Sequence, residues 1–555
     1  MRSTSPTRTL FNHITERVKQ KPSHPNWSMS RIRVYRPGNQ VAETAGETAG
    51  RPRGFPAGRD AMTADGTVPG QGRAAEERAA AEARAVEQVT AALLALDLVA
   101  AARVTVEPDR RGRRRPVAQV VLAPQAVEES RGSTAAAADL IHDWQDVYEW
   151  TYTRSDRLIA ADLNLSGWHD SYTGEPLEQR QMLEWIDNTV DLVGGTGPSR
   201  VLEIGCGTGL LLFRLAPRTE WYLGLDLSAT AISYLGERLG PATGRVRLMQ
   251  ASAQDIGAPG FTGRCAAALH GLPAPHRPDT VLMNSVTQCF PSAAYLTDVL
   301  DAAVALLGPG GTIVVGDVRN LALQGAFATS LERAAGPDPA GAEQDRRVAE
   351  RIRTERELLV DPAFFSVWAN GRPRPVRVSV RPKLGTAENE LNRFRYDVVL
   401  TVEPTVARTC GTVSWQWHGT DGLADLRATV RSATALGRAV RVTGIPNRLV
   451  RPFTAPHPSG AGVTPAELAE ALAGLPAQVC LSPTGRTEGD LAVVAAPRGL
   501  HCELWDEPPA DPARLANEPL TAYLERKAPQ LLRQRLTDRL PAGLLPGRIT
   551  VVPAL

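Results

Sequence analysis

The sequence predicts an α/β fold: a mostly parallel sheet with helices on both faces, flanked by a small α+β lobe. Three observations carry this. From Ser199 to Asp317 short apolar runs alternate with amphipathic stretches, the pattern of parallel strands joined by crossover helices. The first run, Arg200–Ile204, leads into Gly205, Gly207 and Gly209 and then into a Leu-rich helix from Leu210. The second run ends on an acid, Asp226, at about the twenty-residue offset at which such folds meet a ribose.

Taken in order, residues 1–80 are rich in Gly, Pro, Ala, Thr and Arg, and 44–72 read as disordered linker. A helix begins near Ala74. Within 81–125, Val86, Val89, Leu93, Leu94 and Leu96 recur at helical spacing, and Ala102–Val106 and Pro116–Leu122 read as strands. Arg110–Arg115 carries five arginines in six positions between those strands and reads as a solvated hairpin rather than a phosphate contact. This helix-strand-strand piece is too short to bury a core of its own.

The segment 136–405 opens with a helix from Ala136 through Trp144, Tyr148 and Tyr152, then a polar aromatic loop, Gly167–Gly174, then a helix over Leu177–Val193. Strands follow at Arg200–Ile204, Trp221–Leu225, Val246–Gln250, Thr280–Asn284 and Thr312–Asp317, with Ser228 capping the helix that carries Ile232, Leu235 and Leu239. Glu388–Val402 reads as one long strand, an antiparallel edge to the same sheet. Residues 406–515 read as a small α/β extension, and 516–555 as a helix, Ala516–Arg539, followed by a strand, Arg548–Val552.

Composition removes several function classes. A net charge of +2 gives no case for nucleic acid, and no apolar run reaches membrane-spanning length. The first residues lack the apolar stretch of a secretory signal, so a cytoplasmic location is expected. The cysteines are far apart with no Cys-x-x-Cys, and no histidine pair has helical ligand spacing, so no metal is expected.

The glycine spacing separates two ligand classes. A dinucleotide fold wants Gly-x-Gly-x-x-Gly, whereas here Leu210 holds the place of the late glycine and Glu203 precedes the first. That departure counts against a dehydrogenase. Val201-Leu-Glu-Ile-Gly-Cys-Gly-Thr-Gly209 resembles the first motif of class I, Rossmann-like S-adenosylmethionine methyltransferases. The cofactor this implies carries a sulfonium and an ammonium, which carboxylates attract and a pyrophosphate site would not. The resemblance assigns cofactor contacts to Glu203, Gly205, Gly207, Gly209, Asp226, Leu227, Asp255, Asn284 and Ser285, with Tyr172 and Trp168 closing over the sulfonium.

Collinear stretches extend the likeness. Gly167-Trp-His-Asp-Ser-Tyr-Thr-Gly174, Asn284-Ser-Val-Thr-Gln-Cys-Phe-Pro291, Gly316-Asp-Val-Arg-Asn320, Glu357-Leu-Leu-Val-Asp-Pro362 and Asn389-Glu-Leu-Asn-Arg-Phe-Arg-Tyr-Asp397 resemble the methyltransferase domain embedded in nonribosomal peptide synthetases. Residues 86–122 and 520–555 resemble the two parts of the small adenylation-domain lobe into which that domain is inserted, so the flanks are expected to fold together. The ATP loop, the terminal lysine motif and a carrier domain are not found in the chain. The expectation is therefore a methyltransferase acting in trans with synthetase components on an amino-acid-derived substrate, carrier-bound or free. The resemblance implies N-methylation. A C- or O-methyltransferase and a non-catalytic docking partner are the alternatives. Asp317 and Glu390 are the candidate bases, and Arg319 is the candidate partner of Asp317 or of a substrate carbonyl.

Overall fold

The computed structural model describes residues 69–555 apart from 110, 155–161, 240–243, 337–340, 404–409, 419–420, 455–461, 483–488, 499, 501, 503 and 505–513. The expectation for 1–80 thus lies almost wholly outside the described residues. The described chain forms two compact units, one of 69–132 with 523–555 and one of 133–522.

The smaller unit joins the two ends of the described chain. Helix α1 (Pro69–Leu94) starts earlier than the apolar periodicity suggests, because that period marks only the part of a helix that packs. Strands β1 (Val99–Pro108) and β2 (Arg114–Leu122) pair antiparallel. A third strand, β14 (Arg548–Val551), lies parallel to β2. Val89, Leu93, Val104 and Val120 pack with Leu524, Leu532, Leu536 and Ile549, so the core comes from both segments. The arginine run forms the hairpin turn: Asp109 Oδ1 accepts the N–H groups of Arg111 and Arg113, and Arg114 pairs with Glu82.

The larger unit is built on β3 (Arg200–Ile204), β4 (Trp221–Asp226), β5 (Val246–Gln250), β6 (Thr280–Asn284), β7 (Gly311–Arg319), β8 (Val376–Pro382) and β9 (Arg395–Val402), in the order β5-β4-β3-β6-β7-β9-β8. β3 to β7 are parallel, and β9 is antiparallel to both of its neighbours. Alternate residues feed two cores: Leu202, Val281 and Ile313 enter one, Val201, Leu282 and Val314 the other. Burial on both faces is why these strands read as unbroken apolar runs. Strand order reverses between β3 and β6, which places a crevice at their C-terminal ends.

One expected element is corrected. Glu388–Val402 is not one edge strand. Asn389 Oδ1 accepts the Asn392 N–H and starts a helical turn, Glu390–Phe394, and only β9 continues in the sheet. β9 lies inside the sheet, with the unforeseen β8 as its edge. Arginines alternating through β8 (Val-Arg-Val-Ser-Val-Arg-Pro) hide a half-buried strand from an apolar count.

Helices α2 (Thr134–Thr153), α3 (Gln179–Gly194), α4 (Ala229–Leu239) and α5 (Ala293–Leu306) belong to this unit. Ser133, Ser228 and Ser292 cap α2, α4 and α5 by accepting N–H groups of Ala136, Ala231 and Tyr295. A second sheet, of β10 (Thr412–Gln416), β11 (Ala439–Ile445), β12 (Ala477–Leu481) and β13 (Leu491–Ala495), runs β10-β11-β13-β12. Its Val440, Val442 and Val493 share one apolar core with Phe365 and Val380, and Ser379 on β8 donates to Gln478 on β12 at 3.0 Å. Among the described residues no helix is long and apolar enough to cross a membrane.

Candidate active site

The glycine turn is tied to the neighbouring strand end. Leu225 O accepts the N–H groups of Gly205 (2.7 Å) and Cys206 (2.9 Å), and Asp226 Oδ2 accepts that of Gly207 (2.7 Å). Gly205, Gly207 and Gly209 all have positive φ. At Gly205 the requirement is also steric, since a Cβ there would stand 2.3 Å from Val286 Cγ2. Asp226 Oδ1 accepts the Ser228 N–H at 2.8 Å, so one carboxylate ties the turn to the start of α4. Glu203 accepts the Tyr222 hydroxyl at 2.8 Å. Burial pushes the Glu203 carboxyl up to about 7 and that of Asp226 to about 6.

Two dehydrated carboxylates beside a turn that admits close approach fit a cationic nucleoside ligand and would repel a pyrophosphate. S-adenosylmethionine therefore suits the residues present. Leu227 O, next along, accepts Nε2 of Gln145 and of Gln250. Asp255 turns its Oδ2 back on the Ser252 N–H at 2.7 Å, half of a capping box, so it shapes its own loop before it meets any purine.

Aromatic side chains of α2 stand beside the turn. Tyr152 places its hydroxyl 3.1 Å from where a Gly207 Cβ would stand, and it stacks on Tyr148 at 5.7 Å between centroids. Trp144 continues the ladder at 6.3 Å. The Tyr172 hydroxyl lies 2.9 Å from Ser330 Oγ and its ring packs edge-on to Phe327. Trp168 packs on Trp185. The i, i+4, i+8 spacing of Trp144, Tyr148 and Tyr152 is visible in the sequence as one helix face, but which strand end that face covers is not.

Across the crevice, the loop after β6 carries Asn284 and Ser285. Gly316 leaves room for Asn284, whose Oδ1 would stand 2.0 Å from a Cβ there. Asn284 Oδ1, Thr287 Oγ1 and Gln288 Oε1 are buried and have no hydrogen-bond partner among the described residues. The Tyr148 hydroxyl lies 3.6 Å from Cys289 Sγ, a thiol that burial pushes up to about 12 and so keeps neutral.

The three candidate catalytic residues do not form one ion-pair set. Asp317 sits at a bulge in β7 with φ +61 and is fully buried. It accepts from Trp185 Nε1 (3.0 Å), Ser285 Oγ (2.7 Å) and Arg395 Nη1 (2.6 Å), with Lys383 Nζ at 3.8 Å. Burial opposes its charge, but Arg395 and Lys383 outweigh burial and hold the carboxyl below its usual range. An acid so held is a poor base, and its partners tie β7 to α3, to the loop after β6 and to β9. Arg319 does not pair with Asp317; it is shared by Glu357 (2.7 Å) and Glu355 (3.0 Å). Glu390 accepts both the N–H and the hydroxyl of Ser171, each at 2.9 Å, and burial pushes its carboxyl up. Trp185, Lys383 and Arg395 were missed because they lie 132, 66 and 78 positions from Asp317. Among the described residues no His, Cys, Asp and Glu cluster is placed to hold a metal ion.

Residues 202–313, from β3 to the start of β7, match the family model described as a methyltransferase domain. The chain is 34% identical over 481 residues to chondramide synthase cmdD of Chondromyces crocatus, covering 80% of this chain and 12% of that protein. It is 38% identical over 348 residues to the probable non-canonical nonribosomal peptide synthetase CymA of Salinispora arenicola, covering 62% of this chain and 4% of that protein. The chain thus spans 12% or less of the length of these relatives. A solved Haemonchus contortus phosphoethanolamine N-methyltransferase 1, in complex with phosphoethanolamine and S-adenosylhomocysteine, is 15% identical, covering 49% of this chain and 50% of that one at a TM-score of 0.31, too low to add to what the sheet order already shows. With the glycine turn, its paired carboxylates and the doubly wound sheet already described, the chain carries a class I S-adenosylmethionine-dependent methyltransferase domain of the type found in nonribosomal peptide synthetases.

Proposed function

We propose that this chain methylates an amino group of an amino-acid-derived substrate, aminoacyl or peptidyl, in the assembly of a nonribosomal peptide or related natural product. The relatives, a chondramide synthase and a probable nonribosomal peptide synthetase by name, supply the context. The observation that carries the choice of nitrogen is the pair of buried side-chain carbonyls, Asn284 Oδ1 and Gln288 Oε1, that lack donors. Such atoms are costly unless a ligand brings donors to them, and a primary amine can serve both through its two N–H groups while keeping a lone pair to react, whereas a hydroxyl has a single O–H.

When bound, S-adenosylmethionine supplies a methyl group activated by its sulfonium. The residues of this chain do the rest. Glu203 and Asp226 offer negative charge in a dry site, where it acts strongly on a cation. Gly205 lets the backbone come close, and the Tyr148–Tyr152 ladder excludes water from the turn. Asn284 and Gln288 accept the amine N–H groups, and holding the amine in line supplies most of the acceleration.

The test is incubation with S-adenosylmethionine and a set of aminoacyl N-acetylcysteamine thioesters, with the added methyl located by fragmentation. A methyl on nitrogen is expected. A methyl on carbon or oxygen overturns the choice of acceptor atom. Tight cofactor binding without transfer to any acceptor overturns the enzymatic reading in favour of a docking partner.

A further inference from the structure

The segment Glu355–Val360 is laced into the site. Leu358 N–H donates to Gln288 O at 2.9 Å, and Val360 N–H to Arg319 O at 3.0 Å. Asn517 clamps it from the other side, donating through Nδ2 to Glu357 O and accepting the Leu359 N–H. Arg356 lies over the Trp144 ring, the rung before Tyr148, at 5.6 Å. Glu357 is thus flanked by one residue fixed to the aromatic ladder and another fixed to the loop of Gln288 and Cys289. From Gly207 the path runs through Tyr152 and Tyr148 to Cys289, whose thiol the Glu357 charge helps to keep neutral.

Charge and orphaned atoms point the same way. Glu355 and Glu357 share the guanidinium of Arg319, and the charge of Arg395 also acts on Glu357. Glu357 keeps 30% of its side chain exposed, whereas Arg319 keeps 10%. Gln288, whose main chain holds Leu358, is 7% exposed and has its Oε1 without a partner.

We propose that Glu357 is the specificity residue for the acceptor: its carboxylate, oriented by Arg319, receives the incoming substrate's ammonium beside Gln288, accepts the proton that must leave before the nitrogen has a lone pair to react, and selects amines over hydroxyls. This rests on the N-methylation reading and deepens it. Arg319 is then a positioning residue.

The test is calorimetric binding, with the protein saturated in S-adenosylhomocysteine so that nothing turns over. The probes are the aminoacyl N-acetylcysteamine thioester that the wild type methylates and its 2-hydroxyacyl counterpart. Glu357→Gln is expected to weaken the amine about tenfold to hundredfold, the range for a lost charged hydrogen bond, with the hydroxyl probe and S-adenosylhomocysteine unaffected. Should that variant lose S-adenosylhomocysteine binding, Glu357→Asp, which keeps a charge for Arg319, is read instead and is expected to weaken the amine alone by a few fold. Unchanged amine binding, or equal loss for both probes, overturns the proposal and leaves N-methylation standing. Wild type that methylates only carbon or oxygen overturns both, and that arm alone distinguishes the two failures.

Discussion

A carboxylate buried without a cation costs free energy, and Glu203 shows the sign of that cost. Its folded value of about 7 stands above the ordinary 4.5, so the folded chain holds this proton more tightly than the unfolded chain does. The penalty is absent below pH 4.5 and grows as pH rises through about 7. Glu203→Gln keeps an acceptor for Tyr222 and removes the charge. Urea unfolding between pH 5 and 8 is expected to show the variant gaining on wild type as pH rises, by about 3 kcal/mol at the upper end. No pH dependence in the difference would show that Glu203 ionises freely. Asp226 was legible in the sequence because its offset from the turn is local. Asp317 was legible only as an acid at a strand end, since Trp185, Ser285 and Arg395, which decide its chemistry, arrive from separate elements.

At the scale of elements, α4 announced itself by its cap. Its Ser228 cap is local, and its N-terminus also receives the Glu149 carboxylate, which accepts from Ala229 at 2.7 Å and Thr230 at 3.2 Å. Only the first of these contacts is readable along the chain. Gly236 lies exposed within α4 with nothing within 4 Å of where a Cβ would stand. Gly236→Ala is therefore expected to stabilise by about 0.5–1 kcal/mol, read as a raised denaturation midpoint. The antiparallel side of the sheet was less legible. β8 alternates arginine with valine, and the bulge that places Asp317 exists only because β7 and β9 differ in length across their pairing.

At the scale of the molecule, one small core is shared by segments more than 400 positions apart: Val120 on β2 and Ile549 on β14 both enter it. Leu532 is fully buried there. Leu532→Ala is expected to cost about 2–5 kcal/mol. Hydrogen exchange is expected to show the amides of β1, β2 and β14 losing protection together; loss confined to β14 would mean that the strands do not open as one unit. The 406–515 segment reads in the sequence as an extension, and its strands share their apolar cluster with the main sheet.

The sequence by itself determined the parallel strands, the glycine turn and the charge of its ligand, because strand burial, glycine φ and neighbouring carboxylates are properties of a few consecutive residues. Tertiary structure alone decided which aromatics stack beside the turn, which acids share the Arg319 guanidinium and where β9 sits. Tyr152, Glu357 and Asp317 acquire their roles from partners that only packing brings within hydrogen-bonding or van der Waals reach, and no local pattern encodes those distances.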